Sequence, residues 1–207
     1  MHRLSILPLA AAVALAAPLV APAQPALPKV AHDYKQAPAG KYDLDTAHTG
    51  LLARVSHVGF SYEVIRFLNV TGSLAWDPAN PAADALSVNV DAKAMSTAPT
   101  GAEDFPAILG GPKMLNVAKF PAATFASKRF RPVDATHGKV DGELTIMGVT
   151  KPATFDVELV GAGNEFGRQT LGVHAETQIA PNDFGLPPPF FSTPIRLVID
   201  TEFHKAA

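Results

Sequence analysis

The chain has 207 residues and a formal charge of −2, so it carries no basic footprint of the kind that nucleic acid requires. Cysteine is absent, which excludes disulfides and a lipid-modified cysteine. With Trp 1, Tyr 3 and Pro 19, it has too few interfacial aromatics for two girdles and too many prolines for the lipid-facing strands of an outer-membrane barrel.

Met1-His2-Arg3 opens the chain with a positive charge, Leu4 to Val20 is apolar, and Ala21-Pro22-Ala23 supplies small residues. This order predicts a secretory signal peptide at 1–23, cleaved after Ala23. Pro8 and Pro18 break a run already short for a membrane span. The mature protein is expected to be exported and soluble. Residues 24–40 are rich in Ala and Pro without periodicity, and read as an extended linker. One folded domain is expected over 41–207.

Within it, period-two alternation recurs. Leu51, Ala53, Val55 and His57 share one strand face, with Leu52, Arg54 and Ser56 on the other. Val64 to Phe67 and Val70 to Trp76 follow, then the turn cluster Asp77 to Pro81, then Leu86, Val88 and Val90 alternating with polar residues. Thr100 to Lys119 breaks the pattern. Thr100-Gly101-Ala102-Glu103 fits a capping box, while Pro106, Gly110, Gly111 and Pro112 allow only one or two helical turns. Ala123, Phe125 and Ser127 resume a strand.

Val140, Leu144 and Ile146 alternate with Asp141, Glu143 and Thr145, and Gly142 stands in the apolar register. Phe155, Val157 and Leu159 alternate with Thr154, Asp156 and Glu158. The loop Gly148 to Pro152 between them predicts a hairpin, with Pro152 at the first position of the returning strand. Leu171 to Gln178 and Ile195 to Glu202 alternate in the same way. Roughly eight strands at hairpin spacing predict an all-β domain, barrel or sandwich.

Chemistry-bearing patterns are sparse. His48, His57, His137, His174 and His204 show no spacing of a metal or hydrolase motif, so neither a metal site nor a catalytic residue is expected from them. Twelve Phe against three Tyr call for fully apolar surroundings. Pro187-Pro188-Pro189-Phe190-Phe191 reads as a stiff loop, either a lid on a barrel end or an apolar lip.

Four segments together carry a resemblance: Asp45-x-x-His48-Thr49 with Val55-x-His57-x-Gly59-x-Ser61; Phe120-Pro121-x-x-Thr124-Phe125-x-Ser127; Gly142 to Pro152; and Asn182-Asp183-Phe184-Gly185-Leu186. In this order they resemble the YceI-like, polyisoprenoid-binding family of bacterial periplasmic proteins, over about Tyr42 to Phe203. The chain departs from the family at Ala53, where a large aromatic is common. The resemblance implies a single eight-stranded, antiparallel, lipocalin-like barrel with a short helix. It also implies a non-catalytic role: binding or transport of a long apolar lipid, a polyisoprenoid or isoprenoid quinone, in the lumen.

The shared strand faces and the resemblance together nominate Leu51, Ala53, Val55, His57, Phe125, Leu144, Ile146, Phe155 and Val157 as ligand-binding residues. His57, expected inside the wall, is to be satisfied either by a neighbouring backbone or side-chain group at the barrel end or by the ligand's head group. The expected partners are the lipid, a membrane surface touched in passing and a second copy of the chain. A different reading is a metal- or His-dependent hydrolase of lipid-like esters, and a third is an interaction module whose barrel is filled by its own side chains.

Overall fold

Strand pairing closes into a ring in the computed structural model, which describes residues 27–97 and 104–207. The expected signal peptide and the Thr100 to Glu103 capping box lie outside the described residues. In chain order the strands are β1 (Val30–Ala31), β2 (Gly40–Leu44), β3 (Gly50–His57), β4 (Ser61–Phe67), β5 (Val70–Trp76), β6 (Ala85–Asp91) and β7 (Met95–Thr97). After a short helix come β8 (Ala122–Pro132), β9 (His137–Ile146), β10 (Val149–Glu165), β11 (Arg168–Ile179) and β12 (Ile195–Lys205).

Three pairs of these segments act as single interrupted strands. β3 pairs with β4 and β2 with β5, so β2–β3 and β4–β5 form one long hairpin broken at residues 45–49 and 68–69. β6 pairs with β5 and β7 with β4, continuing the same ribbon. The ribbon then runs β6–β8–β9–β10–β11–β12, all antiparallel. β12 returns to the start by splitting its partners: Arg196 to Asp200 face β3, and Phe203 to Lys205 face β2. The result is a closed antiparallel barrel of eight strands, which leaves no open edge. Of the two architectures that alternation allowed, the barrel is the one formed.

The β9–β10 hairpin turns more tightly than expected. Ile146 already pairs with Val149, so only Met147 and Gly148 form the loop, with φ of 50° and 76°. Two successive positive φ values are the signature of a type I′ turn, whose twist matches the strands it joins. Pro152 therefore lies inside β10, opposite Glu143, and not at its start. It is tolerated because pairing of β10 with β11 begins only at Asp156, so Pro152 has a strand neighbour on one side alone.

Alternation sorts the side chains by face. Apolar residues turn inward, while ion pairs such as Lys128–Glu143 and His174–Asp200 ornament the outside. That is the inverse of a lipid-embedded barrel. The core forms two clusters, one toward each end, and Phe67, Leu86, Val88, Phe130 and Ile199 pack against both.

Each end is closed. At one, the helix α1 (Phe105–Gly110) is capped by Asp104, whose carboxylate accepts the Ala107 N–H, and its single buried residue, Leu109, is fully enclosed. Phe105 of α1 meets Phe190, and Phe190 meets Phe191 edge to face at 4.8 Å. The Pro187 to Phe191 loop is thus a packed lid, with Phe191 only 2% exposed. At the other end lies part of the stretch expected to be a linker. β1 pairs with Gly163 and Ala162 beyond the point where β9 stops, and Tyr34 stands edge-on to Trp76 at 6.1 Å. Composition there masked an ordered cap, because its few anchoring residues recur without a period.

Candidate ligand-binding cavity

Between the two end clusters the barrel keeps an internal cavity of about 300 Å³, at the lower end of the roughly 300–1,000 Å³ typical of small-molecule pockets. Its wall is almost wholly apolar. Side chains of an eight-stranded barrel either fill the interior or leave room for one small ligand. Here they leave room.

Eight of the nine nominated residues line this cavity: Leu51, Ala53 and Val55 from β3, Phe125 from β8, Leu144 and Ile146 from β9, and Phe155 and Val157 from β10. Phe125 and Phe155 meet edge to face, ring centroids 4.9 Å apart. Their parity on the strands dictates the inward direction.

His57 is the exception. It is exposed, at the last position of β3, where it pairs with Ser61 across the turn and accepts the Phe60 N–H on its carbonyl. Its parity was read correctly, but the wall ends at Val55, so the same face that is luminal along β3 opens to solvent at its tip. The head-group role open to His57 has no support in this geometry.

The wall also takes in residues that the nomination passed over. Leu86 and Val88 of β6, Leu197 and Ile199 of β12, and Ile65 and Phe67 of β4 all face the cavity. For the first four the signal was present, since each belongs to a recognised alternating run. Trp76 and Asp84, which end β5 and precede β6, had no such signal, because alternation says nothing about residues at a hairpin mouth.

These two bring polarity to one end of the cavity. Asp84 is 8% exposed. Its Oδ1 accepts the Asp77 N–H at 2.6 Å, while Oδ2 is closed off from solvent without a partner among the described residues. Trp76 Nε1 is likewise enclosed and unpartnered. Burial pushes the Asp84 carboxyl up to about 6, the Asp77 N–H opposes that, and the nearby Asp77 charge reinforces it. Arg131 and Lys139 also border the cavity. Both are engaged, Arg131 by the two oxygens of Asp141 at 2.7 Å each and Lys139 by Asp156.

The histidines distribute differently from the apolar wall. His174 bonds Asp200 on the outside of the barrel, while His137, exposed and bonded to Asp134, borders one mouth of the cavity. His48 and His204, separated by most of the sequence, converge on one oxygen of Asp45. Glu202 and His204 alternate along β12 with Thr201 and Phe203, which line the cavity, so this cluster sits on the outer side of the wall.

Comparison with known proteins agrees with this architecture. The YceI protein of Escherichia coli O6:H1 is 33% identical over 158 residues, covering 76% of this chain and 78% of that protein. Among solved structures, BcnA of Burkholderia cenocepacia superposes with a TM-score of 0.66 at 19% identity, covering 77% of this chain and 98% of the other. A polyisoprenoid binding domain from Saccharophagus degradans, implicated in plant cell wall breakdown, superposes with a TM-score of 0.59 at 15% identity, covering 82% and 100%. Residues 42–203 match the YceI-like domain, and the chain belongs to that family.

Proposed function

We propose that this protein binds and shuttles a long apolar lipid, a polyisoprenoid or isoprenoid quinone, in its barrel, without catalysis and in the periplasm. The observation that carries this reading is the apolar cavity that side chains leave unfilled at the centre of the fold. The polyisoprenoid binding domain that shares the fold supports the ligand class, and the charged start followed by an apolar run supports export.

Energetics favour exchange over storage. Taking a tail out of water is worth about 0.8 kcal/mol per methylene. A tail of about forty carbons would then pass the practical ceiling of roughly −18 to −21 kcal/mol for non-covalent binding. Such a lipid starts in a membrane, where its tail is already dry, so transfer gains little from burial, and a cavity of about 300 Å³ must widen to take the whole tail. Preference then comes from the fit of the wall and from the head group. Trp76 Nε1, a donor, and Asp84 Oδ2, enclosed without partners on residues that border the cavity, are polar groups that a head-group hydroxyl or carbonyl would satisfy on reaching them. Loading by transient contact with a membrane surface follows from the same starting point.

The hydrolase reading fares worse. It needs several histidines at an enclosed apolar site, but the histidine cluster lies across the wall from the cavity, and His137, which borders it, is exposed and paired with Asp134. The filled-barrel reading is at odds with a cavity of about 300 Å³.

Mass spectrometry of the lipid extracted from purified protein, with vesicles containing prenyl lipids offered to delipidated protein, tests the proposal. Recovery of a prenyl lipid near one per barrel is expected. Protein that stays empty after both treatments would remove the function.

A further inference from the structure

The break in the first long strand has a consequence on the outside of the barrel. Asp45 follows the last residue of β2 and is tied to β12 by its N–H, which donates to the Glu202 carbonyl at 2.9 Å. The loop that follows returns His48 over Asp45, and Thr49 Oγ1 pins it to the Asp45 carbonyl at 2.6 Å and to Thr201 Oγ1 at 2.7 Å. β12 contributes Glu202 and His204 two positions apart, hence on one face.

Four side chains from distant parts of the chain therefore meet. Asp45 Oδ2 lies 2.8 Å from His48 Nδ1 and 2.8 Å from His204 Nε2. Glu202 Oε2 is 3.8 Å from His48 Nδ1. One ligand atom from each of the four lies within 4.8 Å of every other, the only such group among the described residues.

Two details point to a cation. Glu202 Oε2 is closed off from solvent yet has no hydrogen-bond partner among the described residues, which leaves a carboxylate oxygen aimed at the cluster unsatisfied. His204 is oriented from behind, its Nδ1 3.0 Å from Thr170 Oγ1, so that Nε2 faces the cluster. A partner on the far ring nitrogen is how metal-binding imidazoles are held.

We propose that Asp45, His48, Glu202 and His204 form a divalent metal site that clasps the first long strand to the last. Two imidazoles and two carboxylates suit zinc, where calcium and magnesium prefer all-oxygen shells and copper(I) prefers sulfur. A tetrahedral ion with bonds of about 2.0–2.1 Å sets ligand atoms roughly 3.3 Å apart. The two short contacts must then open slightly and the longer ones close, within the reach of side-chain rotation. This site is independent of the lipid reading, and it reverses the expectation from spacing that the histidines hold no metal.

The test uses the whole protein, stripped with chelator and dialysed against zinc alone, with bound metal measured by elemental analysis. One equivalent is expected, with a rise in Tm, and copper(II) substituted at the site should show two nitrogen ligands by electron paramagnetic resonance. His204→Gln and Glu202→Gln should each weaken zinc by at least about 100-fold, whereas His174→Gln, at an unrelated His–Asp pair, should bind as the parent does. If His204→Gln fails to fold, His48→Gln alters an exposed ring and serves instead. Less than one equivalent at tens of micromolar zinc, or variants that bind like the parent, would make the cluster an ion-pair network only.

Discussion

The ring of Phe125 lies directly over the bare backbone of Gly142. A Cβ on Gly142 would stand 2.4 Å from Phe125 Cζ and 2.5 Å from the Ala126 carbonyl oxygen. The glycine in the apolar register of β9 is therefore what lets Phe125 turn inward and meet Phe155. Gly142→Ala is expected to destabilise the fold by about 1–3 kcal/mol, the usual cost of overpacking. In a Phe125→Leu background the penalty should shrink but persist, since the clash with the Ala126 backbone remains. Urea melts of the four proteins in a double-mutant cycle check this, and full additivity would mean that the ring and the glycine do not interact.

Asp84 predicts a pH dependence. Its folded pKa is raised to about 6 from an ordinary 3.8, so the folded state holds this proton more tightly than the unfolded chain. Below about pH 4 both states are protonated and nothing is lost. Between about pH 4 and 6 the folded state binds more protons, so this group lowers stability as pH rises. Two pKa units correspond to about 3 kcal/mol. Asp84→Asn keeps an acceptor for the Asp77 N–H and carries no charge. In delipidated protein it should be more stable than the parent by up to about 3 kcal/mol at pH 7.5, with the advantage vanishing near pH 4. A difference that stays constant with pH would remove the buried carboxylate as its cause.

His57→Phe should leave both the melting temperature and the co-purifying lipid unchanged. The residue is exposed at the tip of β3, and exposed substitutions away from special features stay within about ±0.5 kcal/mol. A changed lipid profile would restore His57 as a head-group contact.

His57 also marks how far the sequence could be read. Alternation places a residue on a face, and it placed Leu51, Ala53, Val55, Phe125, Leu144, Ile146, Phe155 and Val157 together. It does not say where along the strand the wall ends, so it carried His57 inside with the others. The same limit hid Trp76 and Asp84. The Asp45, His48, Glu202 and His204 cluster was illegible for another reason: its members come from two ends of the chain, and only the closure of β12 onto both β2 and β3 brings them together. Pro152 was misplaced because one-sided pairing within β10 is a property of the ring and not of the local sequence.

The cavity itself can be tested by filling it. Ala53 sits on the wall, 7% exposed, between Leu197 of β12 and Ile65 of β4, and its small side chain leaves space ahead of it. Ala53→Phe would send a phenyl ring into the void and not into packed neighbours, so its effect on stability should fall below the 1–3 kcal/mol of ordinary overpacking. Prenyl-lipid uptake from vesicles should fall at least about 10-fold, because the ring takes up volume that the tail needs. Leu52→Phe, one position away on the outer face, should bind as the parent does. If Ala53→Phe proves unfolded, Ala53→Leu makes the same test with a smaller group. Uptake undiminished in a folded Ala53 variant would mean that lipid does not enter the barrel at all, and that the cavity serves some other end.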